Sequence, residues 1–174
     1  IVDTSLSMLA EDGVKTRLDL AKYHIHQLLS KVDGDFLSII PYSSTAYTYL
    51  PLTTDITAID LFLDDLYVGM IGSSGSNITQ ALKHVSEVIK NNTIAQSATL
   101  VVFSDGEFTP QINQDEIEGL FKGKAIDSVV VGLGTLQGEP IPFRDVDNNL
   151  IEYKKDNYGN IVLSKRMDDQ LERL

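Results

Sequence analysis

The chain has 174 residues, of which 43% are hydrophobic and 22% charged, which suits one globular domain with one core. A formal net charge of -11 argues against a nucleic-acid partner, because phosphate backbones require a basic surface. The absence of cysteine excludes disulfides, zinc thiolate sites and thiol catalysis. No apolar run approaches the roughly 20 residues of a membrane-spanning helix, so we expect a soluble fragment.

The first half of the chain predicts a strand followed by alternating helices and strands. Only two apolar residues open the chain, whereas a strand commonly has about 5–6 residues, so we expect a first strand truncated at its start and a parent protein that extends upstream. Apolar residues at helical spacing predict helices over 17–29, 56–66 and 78–89. Residues 36–42 and 46–50 predict a hairpin of two strands.

The second half continues this alternation. Residues 99–103 form a continuous apolar strand typical of buried parallel sheets, followed by a helix through 117–121 and a strand at 128–131. Alternating strands and helices predict an α/β sandwich with a mainly parallel central sheet. Beyond it, 151–153 and 160–163 flank a turn sequence and predict a β-hairpin, followed by a short C-terminal helix.

The candidate chemistry begins with the run Asp3-Thr4-Ser5-Leu6-Ser7, which directly follows the first strand. It places one carboxylate and two hydroxyls at alternating positions. Magnesium prefers oxygen ligands, keeps several waters and needs only one or two carboxylates, so this set suits a hard cation.

Two later loops supply matching groups. Ser76 follows a glycine-rich stretch at the start of a predicted helix, and Asp105 follows the apolar strand at 99–103. In open α/β sheets, loops beyond the carboxyl ends of the strands converge, so we expect these groups to meet Asp3. Glu107 is expected to support the site from outside the ligand set or to face solvent.

Each of these residues also has an ordinary structural explanation. Serine and aspartate after a strand commonly form turns or cap helices, and Ser76 could cap the helix that begins near Asn77. Asp105-Gly106 is a common turn dipeptide. The joint order of the groups along the predicted elements favours the metal site over these separate explanations.

Together, Asp3, Ser5, Ser7, Ser76 and Asp105 resemble the metal-ion-dependent adhesion site (MIDAS) of von Willebrand factor A domains. That family has Asp-x-Ser-x-Ser, then Thr in a glycine-rich loop, then Asp after a later strand; Ser76 replaces the Thr, so metal binding is expected to survive more weakly. The resemblance covers nearly the whole chain, as a single domain. It implies a Rossmann-like three-layer α/β/α sandwich with an antiparallel edge strand.

The same resemblance implies the function. Such a site holds Mg²⁺, with Mn²⁺ and Ca²⁺ as alternatives, and leaves one metal position for an Asp or Glu carboxylate from a partner protein. The expected function is therefore non-enzymatic protein interaction, with other envelope proteins as the expected partners.

Several stretches resemble the bacterial Bat aerotolerance-related members of the family. These stretches are residues 7–12 with Arg17-Leu18, residues 50–53, and the late segments 132–135 and 138–142. Members are typically held in the bacterial inner membrane by flanking helices, with the metal domain facing the periplasm. The resemblance implies that location for the parent protein, with membrane contact only through segments outside this chain, and an association with aerotolerance or stress.

The predicted hairpin resembles a C-terminal extension of the Bat subgroup, at about 138–166. The favoured role of this extension is to cover a sheet edge, since exposed edges invite unwanted pairing. A separate partner site is the alternative.

Enzymatic alternatives have less support. His24, His26 and His84 lack the His-Glu-x-x-His spacing of a zinc site, and neither a nucleophile elbow nor a P-loop occurs. A phosphoryl-transfer enzyme with Asp3 as nucleophile is the best catalytic alternative, but Ser5 stands where the haloacid dehalogenase family has a second Asp. A metal-independent scaffold, whose polar loops only cap helices, is the remaining possibility.

Overall fold

The computed structural model describes residues 1–72, 74–93 and 97–174. The α-helices of this part are α1 (Arg17–Leu29), α2 (Ile56–Asp64), α3 (Ile78–Lys90), α4 (Gln114–Phe121) and α5 (Asp168–Leu171). A 3₁₀ helix spans Leu6–Leu9. The strands are β1 (Val2–Asp3), β2 (Leu37–Ile39), β3 (Pro41–Tyr42), β4 (Leu50–Thr53), β5 (Ser97–Ser104), β6 (Ala125–Gly132), β7 (Glu139–Pro140), β8 (Pro142–Arg144), β9 (Leu150–Tyr153) and β10 (Leu163–Ser164).

The central sheet is parallel, with the strand order β3-β1-β5-β6. Its longest ladder joins β5 to β6, from Ser97 opposite Ala125 to Ser104 opposite Gly132. β4 pairs antiparallel with β2, which is separated from β3 by Ile40 alone. The predicted mainly parallel sheet with an antiparallel edge strand is therefore confirmed.

Helices cover both faces of this sheet. Successive strand residues point to opposite faces, and in β5 Phe103 packs in one core cluster while Val102 packs in a second cluster. The Phe103 cluster includes Leu18 of α1 and Leu63 of α2. The Val102 cluster includes Leu82 of α3. These two cores make the predicted three-layer α/β/α sandwich.

Capping side chains determine where the first three helices begin. Thr16 and Asp19 form a capping box at the start of α1, in which the Thr16 hydroxyl accepts from the Asp19 backbone N–H. The side chains of Asp55 and Asn77 accept backbone N–H donors at the starts of α2 and α3. The predicted bounds of α1 are confirmed.

The predicted hairpin of 36–42 with 46–50 is shifted in the structure. Ala46 makes only an isolated bridge to Tyr42, and the second strand is β4, which begins at Leu50. The residues between β3 and β4 instead contact the loop before α3. The Ser43 carbonyl accepts a hydrogen bond from the Asn77 N–H at 2.6 Å.

The C-terminal pairing also differs from the prediction. β9 pairs with β8 and not with 160–163, because the Asp145 side chain accepts the N–H groups of Asp147 and Asn149 and closes a tight turn between β8 and β9. The turn after β9 is closed by a Lys155–Ile161 bridge, and β10 pairs with β7. The extent of an extension at about 138–166 stays a prediction.

None of the helices within 1–72, 74–93 and 97–174 has both the length and the apolar content needed to cross a bilayer.

Candidate metal site

Strand register brings the first group of site residues together. β1 lies between β3 and β5, with Asp3 opposite Tyr42 and Val2 opposite Phe103, so that Asp3 lies level with Ser104. The hydroxyls of Tyr42 and Ser104 each donate to Asp3 Oδ2 at 2.8 Å. Asp3 is fully buried. Burial and the Asp3 charge raise the pKa of Tyr42 well above its usual value, which keeps this phenol a donor.

The motif after β1 presents two hydroxyls. The Ser5 N–H donates to Asp3 Oδ1 at 2.9 Å, which turns the chain into the 3₁₀ helix. Ser5 stands at the N-cap of this helix, yet its side chain makes no capping hydrogen bond. Instead, Ser5 Oγ and Ser7 Oγ lie 3.0 Å apart. Neither turn formation nor capping therefore accounts for both hydroxyls.

Ser76 reaches the same point from the loop before α3. Its hydroxyl donates to Asp3 Oδ2 at 3.0 Å, whereas the cap of α3 is the side chain of Asn77. The alternative that Ser76 caps this helix is therefore wrong. Its carbonyl accepts from the Thr109 N–H at 2.7 Å, so the loop after β5 holds the Ser76 loop in place.

Asp105, directly after β5, completes the group. It is fully buried. Its Oδ1 accepts from the Glu107 N–H at 3.1 Å. Burial raises the pKa of Asp105, and the charge of Asp3 raises it further, whereas the nearby Ser7 hydroxyl partly offsets this increase. Two buried carboxylates thus act on each other unfavourably where a cation would relieve both.

The donor set fits a hard divalent cation. Its five side chains offer only oxygen atoms, and the two serine hydroxyls of the first motif are 3.0 Å apart. Neighbouring ligands of an octahedral magnesium ion, each at about 2.1 Å, are separated by roughly 3.0 Å. No cluster of three or more His, Cys, Asp or Glu side chains suited to a metal occurs among the described residues. Hydroxyls would therefore supply most of the protein ligands.

A buried arginine supports the site from behind. Arg17, the first residue of α1, is 1% exposed and donates from Nη1 to Asp105 Oδ2 at 2.9 Å. Its Nε and Nη2 bind both oxygens of Asp12 at 2.6 and 3.2 Å. Its Nη2 also donates to the Ser164 carbonyl at 3.0 Å. Burial alone would lower the pKa of Arg17, but the two carboxylates more than offset this and raise it.

Gly134 gives the Arg17 guanidinium its space. It has a φ of +97°, and a Cβ there would lie 2.6 Å from Arg17 Nε. We expect Gly134→Ala to lower the free energy of unfolding by at least the strain of about 1–3 kcal/mol that a left-handed non-glycine residue costs. Gly123→Ala is the matched control, because Gly123 has a φ of +78° with no atom within 4 Å of its Cβ position. Equal losses in urea unfolding would contradict a role for the guanidinium contact.

Glu107 faces the C-terminal segment. Its Oε1 accepts from the Lys165 N–H at 2.8 Å and its Oε2 from the Ser164 hydroxyl at 3.0 Å. Burial raises the pKa of Glu107, and the nearby Asp105 charge adds to this effect. These contacts place Glu107 beside the five candidate ligands.

Sequence reasoning missed three residues of the site. Ser104 ends an apolar strand next to Asp105, and a polar residue at that position was a usable signal. No local sequence pattern marked Tyr42 or Arg17 as part of the site, because their contacts depend on strand register and on how α1 packs against the sheet.

The sequence of this chain matches a known protein family. A sequence profile of the von Willebrand factor type A domain matches residues 1–107, which is more than half of the chain. The chain belongs to this family. The five candidate ligands all lie within the matched residues.

Two solved bacterial structures resemble this von Willebrand factor type A domain over nearly its whole length. The conserved hypothetical protein BatB from Bacteroides thetaiotaomicron is 27% identical, with a TM-score of 0.86 and coverage of 99% of this chain and 81% of that chain. An aerotolerance-related membrane protein from Bacteroides fragilis is 25% identical, with a TM-score of 0.82 and coverage of 99% and 82%. The resemblance to Bat proteins is confirmed.

Other similar proteins match the chain over part of its length. An uncharacterised protein of Borreliella burgdorferi is 28% identical over 151 residues, which are 83% of this chain and 42% of that protein. The chain spans about half the length of the curated relatives it matches. Proximal thread matrix protein 1 from the mussel byssus, with a zinc-occupied MIDAS motif, shares the fold alone, at 21% identity, a TM-score of 0.58 and coverage of 75% and 36%.

Proposed function

We propose that this domain is a non-enzymatic, metal-dependent protein-interaction module. Its ligands to the cation, direct or through water, are Asp3, Ser5, Ser7, Ser76 and Asp105. Bound there, a divalent cation, in the first place Mg²⁺, supplies positive charge and an open position for an Asp or Glu carboxylate of a partner protein. The observation that carries the proposal is the convergence of three buried hydroxyls and two buried carboxylates from three separate segments of the chain.

The surrounding residues prepare this site. Tyr42 and Ser104 orient Asp3, and Arg17 holds Asp105 in position while keeping its charge partly balanced. Ser5, Ser7 and Ser76 line an open groove, so the hydroxyl side of the group is accessible to a ligand. In a chain of net charge -11, a cation at this point would also reduce repulsion of an acidic partner.

The alternatives explain less. A scaffold whose serines only cap helices does not account for Ser5 and Ser76, which make no cap hydrogen bond. Asp3 is a poor nucleophile for phosphoryl transfer, because its Oδ2 already accepts from three hydroxyls and its Oδ1 from the Ser5 N–H. The similar Bat structures are described as hypothetical or aerotolerance-related and not as enzymes.

For the parent protein we propose a place at the periplasmic face of a bacterial inner membrane, with other envelope proteins as partners and a role in aerotolerance or stress. The description of the similar Bacteroides fragilis protein as an aerotolerance-related membrane protein supports the membrane association and the link to aerotolerance.

The metal is tested by calorimetric titration of the metal-stripped protein with magnesium, then manganese and calcium. We expect saturable binding of one ion. No binding at millimolar ion would contradict the proposal.

The open position is tested on the manganese-loaded protein by water-proton relaxation. Amidated N-acetyl-aspartate is expected to displace a bound water and lower the relaxation enhancement, whereas amidated N-acetyl-asparagine should leave it unchanged. Equal effects of the two compounds would show that the metal has no open position that prefers a carboxylate to an amide.

A further inference from the structure

The candidate metal site opens into a groove that extends well beyond the five proposed ligands. The groove has a volume of about 410 Å³, and Ser5, Ser7 and Ser76 lie at one part of it. A volume of this size exceeds what one carboxylate needs and lies within the range of ligand-binding clefts. Residues on either side of the incoming carboxylate therefore have room to contact this domain.

Apolar side chains form part of the groove wall, beside its polar residues. Phe108 lines it from the loop after β5, and Ile141, Val162 and Met167 line it from the C-terminal part of the chain. Phe108 and Ile141 are buried, whereas Met167 is 37% exposed at the rim. The C-terminal segment at about 138–166, for which the sequence favoured the role of a sheet-edge cover, thus contributes directly to the surface beside the candidate metal site.

Lys154 places one positive charge in this groove. Its N–H donates to the Ile141 carbonyl, and its carbonyl accepts from the Val162 N–H, both at 2.9 Å, so its backbone is held from both sides. Its side chain is half-buried, and no salt bridge or side-chain hydrogen bond joins its ammonium to the described residues. The adjacent Lys155, by contrast, pairs with Glu152 at 3.2 Å.

The only acidic side chain that lines the groove within the described part of the chain is Glu107, and it is already engaged. Both of its oxygens accept hydrogen bonds from the segment at Ser164 and Lys165. Lys154 therefore remains the group best able to attract a second negative charge from a ligand.

We propose that Lys154 is a specificity-determining residue for the partner, which presents a short segment with two acidic residues flanking an apolar one. One carboxylate occupies the open metal position, the apolar side chain contacts the Ile141 and Val162 wall, and the second carboxylate pairs with the Lys154 ammonium. This assignment rests on the proposed function, and it names the chemical class of the partner segment. A single Asp or Glu would leave Lys154 without a partner.

The test uses the whole chain with saturating magnesium and three fluorescent, end-capped peptides. Each carries an aspartate and a glutamate, separated by one leucine or by leucine with one or two glycines. Each is compared with the same peptide in which glutamine replaces glutamate. We expect at least one spacing to bind about fivefold more tightly than its glutamine counterpart, as for a good exposed ion pair. Fluorescence anisotropy measures the affinities.

Lys154→Met should abolish this preference while the glutamine peptides bind as before, and Lys154→Glu should reverse it. Lys155→Met is the matched control and should keep the preference, because Lys155 pairs with Glu152 and is not part of the groove. A preference that persists in Lys154→Met would overturn the assignment.

The outcomes separate this inference from the proposed function. Binding of the single-acid peptides without preference at any spacing would overturn the Lys154 contact alone. Binding of magnesium without binding of any peptide would overturn both the open carboxylate position and this inference. Dimerisation in magnesium, seen by sedimentation and blocked by Lys154→Glu, would assign the groove to a second copy of the chain and overturn the peptide partner.

Discussion

Asp3→Ala is expected to abolish saturable magnesium binding, with affinity reduced by at least about 100-fold, while the protein stays folded. The carboxylate is the centre of the site, because it accepts from the hydroxyls of Tyr42, Ser76 and Ser104. Loss of a group that ligates or orients metal ligands commonly reduces affinity by about 10–100-fold or more. The fold should survive because removal of one of two mutually repelling buried carboxylates offsets part of the lost hydrogen bonding. Calorimetry measures the binding, and circular dichroism checks the fold.

Ser104→Ala is the matched control for this prediction. It removes one hydroxyl that donates to Asp3 and leaves all five proposed ligands in place. We expect a smaller loss of magnesium affinity than in Asp3→Ala, of about tenfold, at the low end of the range for groups that orient metal ligands. Unchanged magnesium affinity in a folded Asp3→Ala variant would refute the ligand assignment, whatever the behaviour of Ser104→Ala.

Arg17→Met is expected to have the largest effect on stability, a loss of about 3–5 kcal/mol in the free energy of unfolding. The variant fills a similar volume but leaves Asp12 and Asp105 without their buried cationic partner. A buried carboxylate that loses its partner cannot recover the solvation it lost on folding. Urea unfolding followed by circular dichroism measures the change. Saturating magnesium should reduce the loss, because the proposed cation would still balance Asp105.

Arg144→Met provides the comparison at the surface. Arg144 pairs with Glu11 at 3.0 Å, but both side chains are about one-third exposed, at 33% and 31%. Exposed ion pairs contribute about 0–1 kcal/mol, so we expect a loss within that range. Arg17→Lys, which keeps the charge but loses the planar fork, should fall between the two. Similar losses for Arg17→Met and Arg144→Met would show that burial adds nothing to the Arg17 network.

Local sequence patterns predicted the sheet and helices well and the short pairings poorly. The bounds of α1 follow from apolar spacing together with the cap at Thr16, both of which are local signals. The choice of β8 as the partner of β9 depends on the turn at Asp145, where side-chain hydrogen bonds close the preceding loop. Turn signals occur on both sides of β9, so apolar runs alone do not distinguish the two possible partners.

The candidate site likewise has one part that local sequence patterns predict and another part that they do not. The three loops that carry its oxygens could be assigned to one sheet edge, because each follows a strand or precedes a helix. The buried hydrogen-bond network of Arg17 behind these loops could not be predicted from the sequence. Arg17 and Ser164 are 147 positions apart and meet only through tertiary packing. A charged residue at the start of a helix normally faces solvent, and nothing local to Arg17 indicates that it is buried.

β1 lies in the middle of the sheet, and this position determines the stage of folding at which the site can form. Asp3 and Ser104 are 101 positions apart, and β1 is held between β3 and β5. Contacts so distant in sequence form slowly, after the entropy of closing a long loop has been overcome. During synthesis, the five proposed ligands therefore come together only after β1 has paired with β3 and β5. Metal binding would then report completed folding of the chain, and the ion could not serve as its early nucleus.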